Sequence, residues 1–369
     1  MSVVKLTTQN FRNLTSTSIT LHPDLNFILG DNGSGKSSLL EAVFFIGHGK
    51  SFRTSKAEHL TCYDKDDFVV SVKNNNDLQL GISRNTQLGV TNISINGERH
   101  SRLSELAKNI AVQIVTPESF KLFFGGPKER RRFIDLGMFH VKHEFPNQWK
   151  EFSRVLKQRN ACIRASHEKT ILEYWTNTFC DLSIKVAKVR HDYVAQLIDE
   201  LNVWLAILLP NLVDKVKVQY LQGWSNTKSL QDILRTNEER EKSFGYSLYG
   251  AHKFDVKFLL GKQVIDTQLS RGQQKLFLLA LTFAQAKIIS KVNRVKPILL
   301  IDDIGAELDS HSRESLSQAI KKLDCQVLIT AIENSVLTPF MSTTVNNTLA
   351  VKGGKYKMFH VEQGEIFEK

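Results

Sequence analysis

The stretch Gly30-Asp31-Asn32-Gly33-Ser34-Gly35-Lys36-Ser37 limits what this chain can fold into more than any other part of it. It is a complete G-x-x-x-x-G-K-S match. Before it stands an apolar run, Leu25–Leu29, that reads as a buried strand; after it Leu39, Leu40, Val43 and Phe44 recur at helical spacing. Strand, glycine-rich loop and helix in that order make a phosphate-binding loop. Glycines let backbone N–H groups curl round phosphates without Cβ clashes, the helix N-terminus meets the negative charge, and Lys36 reaches the β and γ oxygens of a nucleotide. Ser37 is then the expected ligand of Mg²⁺ beside ATP.

Around this loop the pattern is mixed α/β. Residues 3–6 and 19–21 read as short strands, residues 68–95 as alternating strands, and Asn96-Gly97 as a two-residue hairpin turn. From about residue 120 to 209 long helical segments rich in Lys, Arg and Glu take over, ended by Pro210, with a further helix at 228–243. Strand-like segments return near 256–260. The expected division is an ATPase head with its N-terminal part at residues 1–119, a helical arm inserted at 120–245, and the C-terminal part of the head at 246–369. Trp149, Trp175 and Trp204 are expected to pack helices together.

With 41% hydrophobic residues in 369, sizeable cores are within reach. Cys62, Cys162, Cys180 and Cys325 stand far apart with no CxxC spacing, so neither a disulfide framework nor a zinc site is implied, and a reducing cytosol fits. Lys5, Gln9 and Arg12 come too early for a signal peptide, and apolar runs such as 203–209 fall short of the roughly 20 residues of a membrane span. A soluble cytoplasmic protein is expected. Lys and Arg number 49 against 38 Asp and Glu, a net charge of +11 that attracts polyanions and makes nucleic acid the leading partner.

A second element follows Pro297, where Ile298-Leu299-Leu300-Ile301 precede Asp302-Asp303. A central strand of this kind delivers carboxylates to its C-terminal edge, where α/β sheets bind ligands. Asp302 is placed to hold Mg²⁺ through water, and Asp303 to polarise the attacking water as the catalytic acid-base group beside Lys36. A third element, Leu269-Ser270-Arg271-Gly272-Gln273-Gln274-Lys275, precedes an apolar helix and resembles the signature of ABC ATPases, usually LSGGQ. That resemblance implies that Ser270, Gly272 and Gln273 cap the γ-phosphate of ATP held by a second subunit, so that ATP joins two heads in a homodimer. Glu307-Leu308-Asp309 resembles the D-loop of those ATPases, and Thr330-Ala331 occupies the switch position where many relatives carry His.

The resemblance narrows, within the SMC-like ABC ATPases, to the RecF family. It rests on Phe11-Arg12-Asn13, the P-loop, Pro117-Glu118, Gly125-Gly126-Pro127, Arg130-Arg131-Arg132-Phe133-Ile134-Asp135, Lys157-Gln158-Arg159-Asn160, Gly250-Ala251-His252-Lys253-Phe254-Asp255, the signature and the acidic strand, all in family order. Ala251 departs from the family's Gly-Pro-His, and a clear Q-loop glutamine is missing, Gln113 being a poor match to one. The resemblance implies an α/β, ABC-type P-loop ATPase head with an inserted α-helical arm, a weak DNA-dependent ATPase, partners RecR and RecO, promotion of RecA loading at DNA gaps, and roles in repair, replication and the SOS response. Lys128, Arg130, Arg131 and Arg132 are the expected phosphate contacts to DNA, with Lys157, Arg159 and Arg164 behind them. A transporter ATPase would share the P-loop and signature, but the basic excess has no use there. A slow ATP-switched DNA clamp is the other reading. No Asn-Lys-x-Asp motif marks a GTPase.

Overall fold

Leu25–Leu29 forms the buried strand that its apolar run dictates, and the chain turns at Gly30 into the helix Lys36–His48. The computed structural model describes residues 2–120, 126–165, 169–292, 295–305, 308–341 and 356–369. Two compact units divide them: Met1–Phe120 with Trp204–Pro210 and Ser270–Lys369, and Lys121–Val203 with Asn211–Leu269.

In the first unit a six-stranded sheet runs in the order Glu365–Glu368, Tyr356–Glu362, Leu25–Leu29, Gln326–Ala331, Ile298–Ile301, Val112–Val115. All neighbours are parallel except the first pair, which is antiparallel. The strand Gln326–Ala331 therefore lies between the P-loop strand and the acidic strand. Side chains alternate across a strand. Ile28, Ile298, Leu300 and Leu328 join one core with the P-loop helix, while Leu299, Ile301, Val327 and Ile329 are buried on the other face. Cover on both faces is why Ile298–Ile301 reads as an uninterrupted apolar run.

The P-loop helix is buried on almost every side because it packs against this sheet and against a second, antiparallel sheet of six strands that includes Val3–Gln9, Asp67–Asn74 and Gln79–Asn85. Its Leu39, Leu40, Phe44 and Phe45, each at most 4% exposed, contribute roughly 1.5–3 kcal/mol apiece over an exposed position. Such burial anchors the phosphate loop at the helix's head. The helix Arg271–Lys291 is buried from Lys275 to Ala286 and packs against Val112–Val115, with Trp204 edge-on to Phe283 at 5.4 Å.

The second unit holds the helices Pro127–Val141 and Phe145–Ala165, most of the 40-residue helix Lys169–Leu208, the short helices Leu230–Thr236 and Glu238–Phe244, and a three-stranded sheet. In that sheet Asp255–Leu260 pairs antiparallel with both Val216–Leu221 and Gln263–Val264. This corrects the expected boundary: the chain returns to the first unit after Leu269, not at residue 246, and the insert is α/β instead of purely helical. The strand near 256–260 is real, but its hydrogen-bonding partner is Val216–Leu221, a long-range pairing that the local pattern does not carry.

Family landmarks form the polar core of this second unit. Arg190, fully buried, forks onto Asp135 at 3.0 Å, donates to the Ala251 carbonyl and stacks over Phe254 at 3.9 Å. Arg159, at 2% exposure, pairs with Glu241 at 2.7 Å and donates to Ser247, whose amide donates to Asn160. Arg130 holds Asp255 with two hydrogen bonds of 2.8 Å. Among the described residues, no helix is long and apolar enough to cross a membrane.

Candidate nucleotide-binding site

The P-loop curls as its glycines require. Gly30 sits at φ 153°, and a Cβ there would meet the Val361 carbonyl oxygen at 2.3 Å; Gly35, at φ 122°, caps the helix that begins with Lys36. Both are conformations that side chains other than glycine rarely adopt. Asn13 braces the loop from outside: its amide donates to the Gly33 carbonyl at 3.0 Å, and its oxygen accepts from Ser38 at 2.7 Å.

Lys36 Nζ donates to the carbonyls of Gly30 and Asp31 at 2.7 and 2.8 Å. That leaves the ammonium a third hydrogen for an anion at the loop. Burial pushes its pKa down, opposed by the carboxylates of Asp302, Asp303 and Asp31. Among the described residues the buried Ser34 Oγ has no hydrogen-bond partner. A loop with an orphaned hydroxyl, curled amides and a partly occupied ammonium fits the phosphates of a nucleotide.

The acidic strand ends opposite. Asp302 Oδ1 accepts from Ser37 Oγ at 3.1 Å and from Thr330 Oγ1 at 2.7 Å. Ser37 and Asp302 thus converge as a hydroxyl–carboxylate pair, the oxygen set a Mg²⁺ ion takes beside phosphates. Asp303 follows, half-buried at φ 51°. With Lys36 and Ser37, these two acids line an open cleft of about 370 Å³, which Arg12 and Thr330 also border.

The other motifs fall in separate places. Ser270 is exposed and caps the helix Arg271–Lys291 in a capping box with Gln273: Gln273 N donates to Ser270 Oγ, and Ser270 N donates to Gln273 Oε1 at 3.0 Å. No acid stands in that helix's first turn. Ser270, Gly272 and Gln273 do not line this cleft. Of the expected D-loop, Glu307 lies outside the described residues, Leu308 is buried, and Asp309 caps the helix Ser310–Lys321, its carboxylate held below the usual range by the Ser312 amide.

Several expectations are corrected. Gln113 donates to Gln285 at 2.7 Å in the core and is not at the cleft. Arg130 and Arg159 are closed by Asp255 and Glu241, so neither presents a free guanidinium to a backbone, and Arg131 donates to the Phe254 carbonyl. Lys128 and Arg132 on the same helix are exposed. Gly125 falls outside the described residues.

Four residues at or behind the cleft make contacts that the sequence did not give them. Arg12 forks onto Glu41 at 2.8 Å, a carboxylate with no exposure inside the P-loop helix that Ser51 also contacts. A lone acid in an otherwise apolar helix is the signal that could have found it. Thr330 joins the two acids, since its hydroxyl also accepts from the Asp303 amide at 2.8 Å. It can do so because its strand lies between the P-loop and acidic strands. Lys275, on the signature helix, donates to the Asp303 carbonyl.

A P-loop and an acidic strand parted by one parallel strand, with a capped signature helix left outside the cleft, is the plan of an ABC-type ATPase head. Residues 2–354 match the sequence profile of the RecF/RecN/SMC N terminal domain. The DNA replication and repair protein RecF of Colwellia psychrerythraea strain 34H is 70% identical over 99% of this chain and 97% of that protein, and its counterpart in Pseudoalteromonas translucida strain TAC 125 is 36% identical over 100% of both. The chain belongs to the RecF family. Its fold matches that of the recombination mediator protein RecF-ATP in the RecFOR pathway, with a TM-score of 0.83 at 22% identity, covering 100% of this chain and 97% of the other. An SMC head bound to the C-winged helix domain of ScpA matches at 0.59 and 17%, covering 100% and 98%.

Proposed function

We propose that this chain is an ATP-dependent DNA-binding recombination mediator: it dimerises on ATP, binds DNA at gaps and, with RecR and RecO, promotes RecA loading in repair, replication and the SOS response. The observation that carries the ATP part is the convergence of Lys36, Ser37, Asp302 and Asp303 on one cleft while Ser270 stands exposed outside it. The cellular part rests on the relatives, which are named DNA replication and repair protein RecF, and on the solved RecF titled for the RecFOR pathway.

In this reading the P-loop residues Gly30, Asp31, Asn32, Gly33, Ser34, Gly35 and Lys36 hold the phosphates, and Ser37 and Asp302 would hold Mg²⁺, which would supply neutralisation of phosphate charge. Asp303 takes the proton of the attacking water. Ser270, Gly272 and Gln273 bring a capped helix N-terminus, whose free amides suit an anion, to the γ-phosphate held by a second copy. Hydrolysis is weak and DNA-dependent because the site is complete only in the dimer. DNA binding rests on the net charge of +11, with Lys128 and Arg132 the exposed cations of the expected run. A cytoplasmic location follows from this role.

Two variants test the sandwich. Ser270→Arg puts bulk and charge in the seam, so ATP binds single subunits and dimers do not form. Asp303→Asn keeps the shape and Asp302 but removes the proton acceptor, so ATP persists and dimers accumulate. Light scattering with ATP and Mg²⁺ decides: dimeric Ser270→Arg or monomeric Asp303→Asn rejects the mechanism.

A further inference from the structure

Asp303 is held at φ 51°, a left-handed conformation uncommon for a non-glycine residue that persists where its surroundings impose it. Two side chains from different elements impose it. Thr330 Oγ1 accepts from the Asp303 amide at 2.8 Å, and Lys275 Nζ donates to the Asp303 carbonyl at 2.9 Å. Lys275 is 1% exposed. Burying an ammonium so completely is costly unless strong acceptors meet it. Thr330 belongs to the sheet that builds the cleft, but Lys275 belongs to the helix that Ser270 caps, and gripping a nucleotide in this chain's own P-loop does not call for it.

We infer that Lys275 is a positioning residue that ties Asp303 to the signature helix, so that seating this helix on a second copy's nucleotide sets the geometry of water attack in the helix's own subunit. The inference rests on the ATP-sandwich reading. Lys275 lies five residues beyond Ser270, about 7.5 Å along a rigid helix. A displacement at the exposed end reaches the Asp303 peptide through one side chain and one hydrogen bond. Released from Lys275, the peptide relaxes from its strained conformation and carries the carboxylate away from the water. Each nucleotide of the dimer thereby licenses hydrolysis of the other.

Lys275→Met tests this, since it keeps the apolar stem and removes the ammonium; Lys275→Arg is its conservative partner. ATP binding is measured by calorimetry, dimers by light scattering, and kcat and the Hill coefficient by steady-state hydrolysis. Lys275→Met should bind ATP and dimerise within about twofold of wild type while kcat falls about tenfold or more and the Hill coefficient drops to about one; Lys275→Arg should recover most of kcat. If melting shows that Met is not tolerated, Lys275→Gln is measured against the same outcomes. A wild-type chain that neither dimerises nor hydrolyses ATP overturns the sandwich and this inference with it. A wild type that does both, beside a Lys275→Met protein of unchanged kcat, or one that loses ATP binding together with kcat, overturns the tie alone.

Discussion

The cleft of the first unit and the polar core of the second use the same residue types to opposite ends. In the core each arginine meets its own carboxylate: Arg159 with Glu241 at 2.7 Å, Arg130 with Asp255 at 2.8 Å, Arg190 with Asp135 at 3.0 Å. At the cleft Lys36 rests on two loop carbonyls, Asp302 accepts from two hydroxyls, and Ser34 Oγ has no partner among the described residues. A charge closed by a partner of opposite sign specifies packing. A charge whose hydrogen bonds go to neutral groups is held ready for a ligand. The family landmarks are of both kinds, and sequence order alone does not separate them.

The sharpest way to break the comparison is to exchange the consequences of one charge from each region. Arg159→Met leaves the Glu241 carboxylate buried and unpaired, so unfolding free energy measured by denaturant titration should fall by about 3–5 kcal/mol with ATP affinity in the folded fraction unchanged. Lys36→Ala should do the reverse, lowering ATP affinity about a hundredfold by calorimetry while stability stays within about 1 kcal/mol. Equal losses of stability in both variants would erase the distinction.

A smaller effect concerns His252, inside the same polar core. Burial drives its pKa from 6.5 to about 4, even though its Nε2 meets the Ser247 carbonyl. Between those values the unfolded chain binds a proton that the folded chain refuses, so this stability is fully present above pH 6.5 and drains away as pH falls toward 4. From pH 7 to pH 5 the loss should be about 2 kcal/mol, and His252→Gln should flatten it; an unchanged slope in the variant would place the titrating group elsewhere.

The smallest effect sharpens the boundary between the two kinds of charge on one helix. Lys128→Gln with Arg132→Gln should reduce the slope of log K against log salt for DNA by roughly 2, whereas Arg130→Gln should weaken folding and leave the slope alone. A slope unmoved by the double variant moves the DNA surface elsewhere on the molecule.

The loop, the acidic strand end and the helix cap were legible in sequence because each is local. Glycines at Gly30 and Gly35 answer to their own backbone angles, Asp302 to the apolar run before it, and Ser270 to the helix after it. The basic run read as one DNA surface is split by the fold, since Arg130 and Arg131 reach residues 125 and 123 positions away. Gln113, the candidate Q-loop residue, turns to Gln285 for the same reason.

By itself the sequence determined the phosphate loop, the acidic strand end and the landmarks of the family, each specified by residues within a few positions of one another. Only the tertiary structure decided which charges are closed and which stay open, that Thr330 and Lys275 grip Asp303 from two sides, and that the strand Asp255–Leu260 belongs to the second unit. Such pairings join residues far apart in the chain, and nothing in either local pattern names its partner.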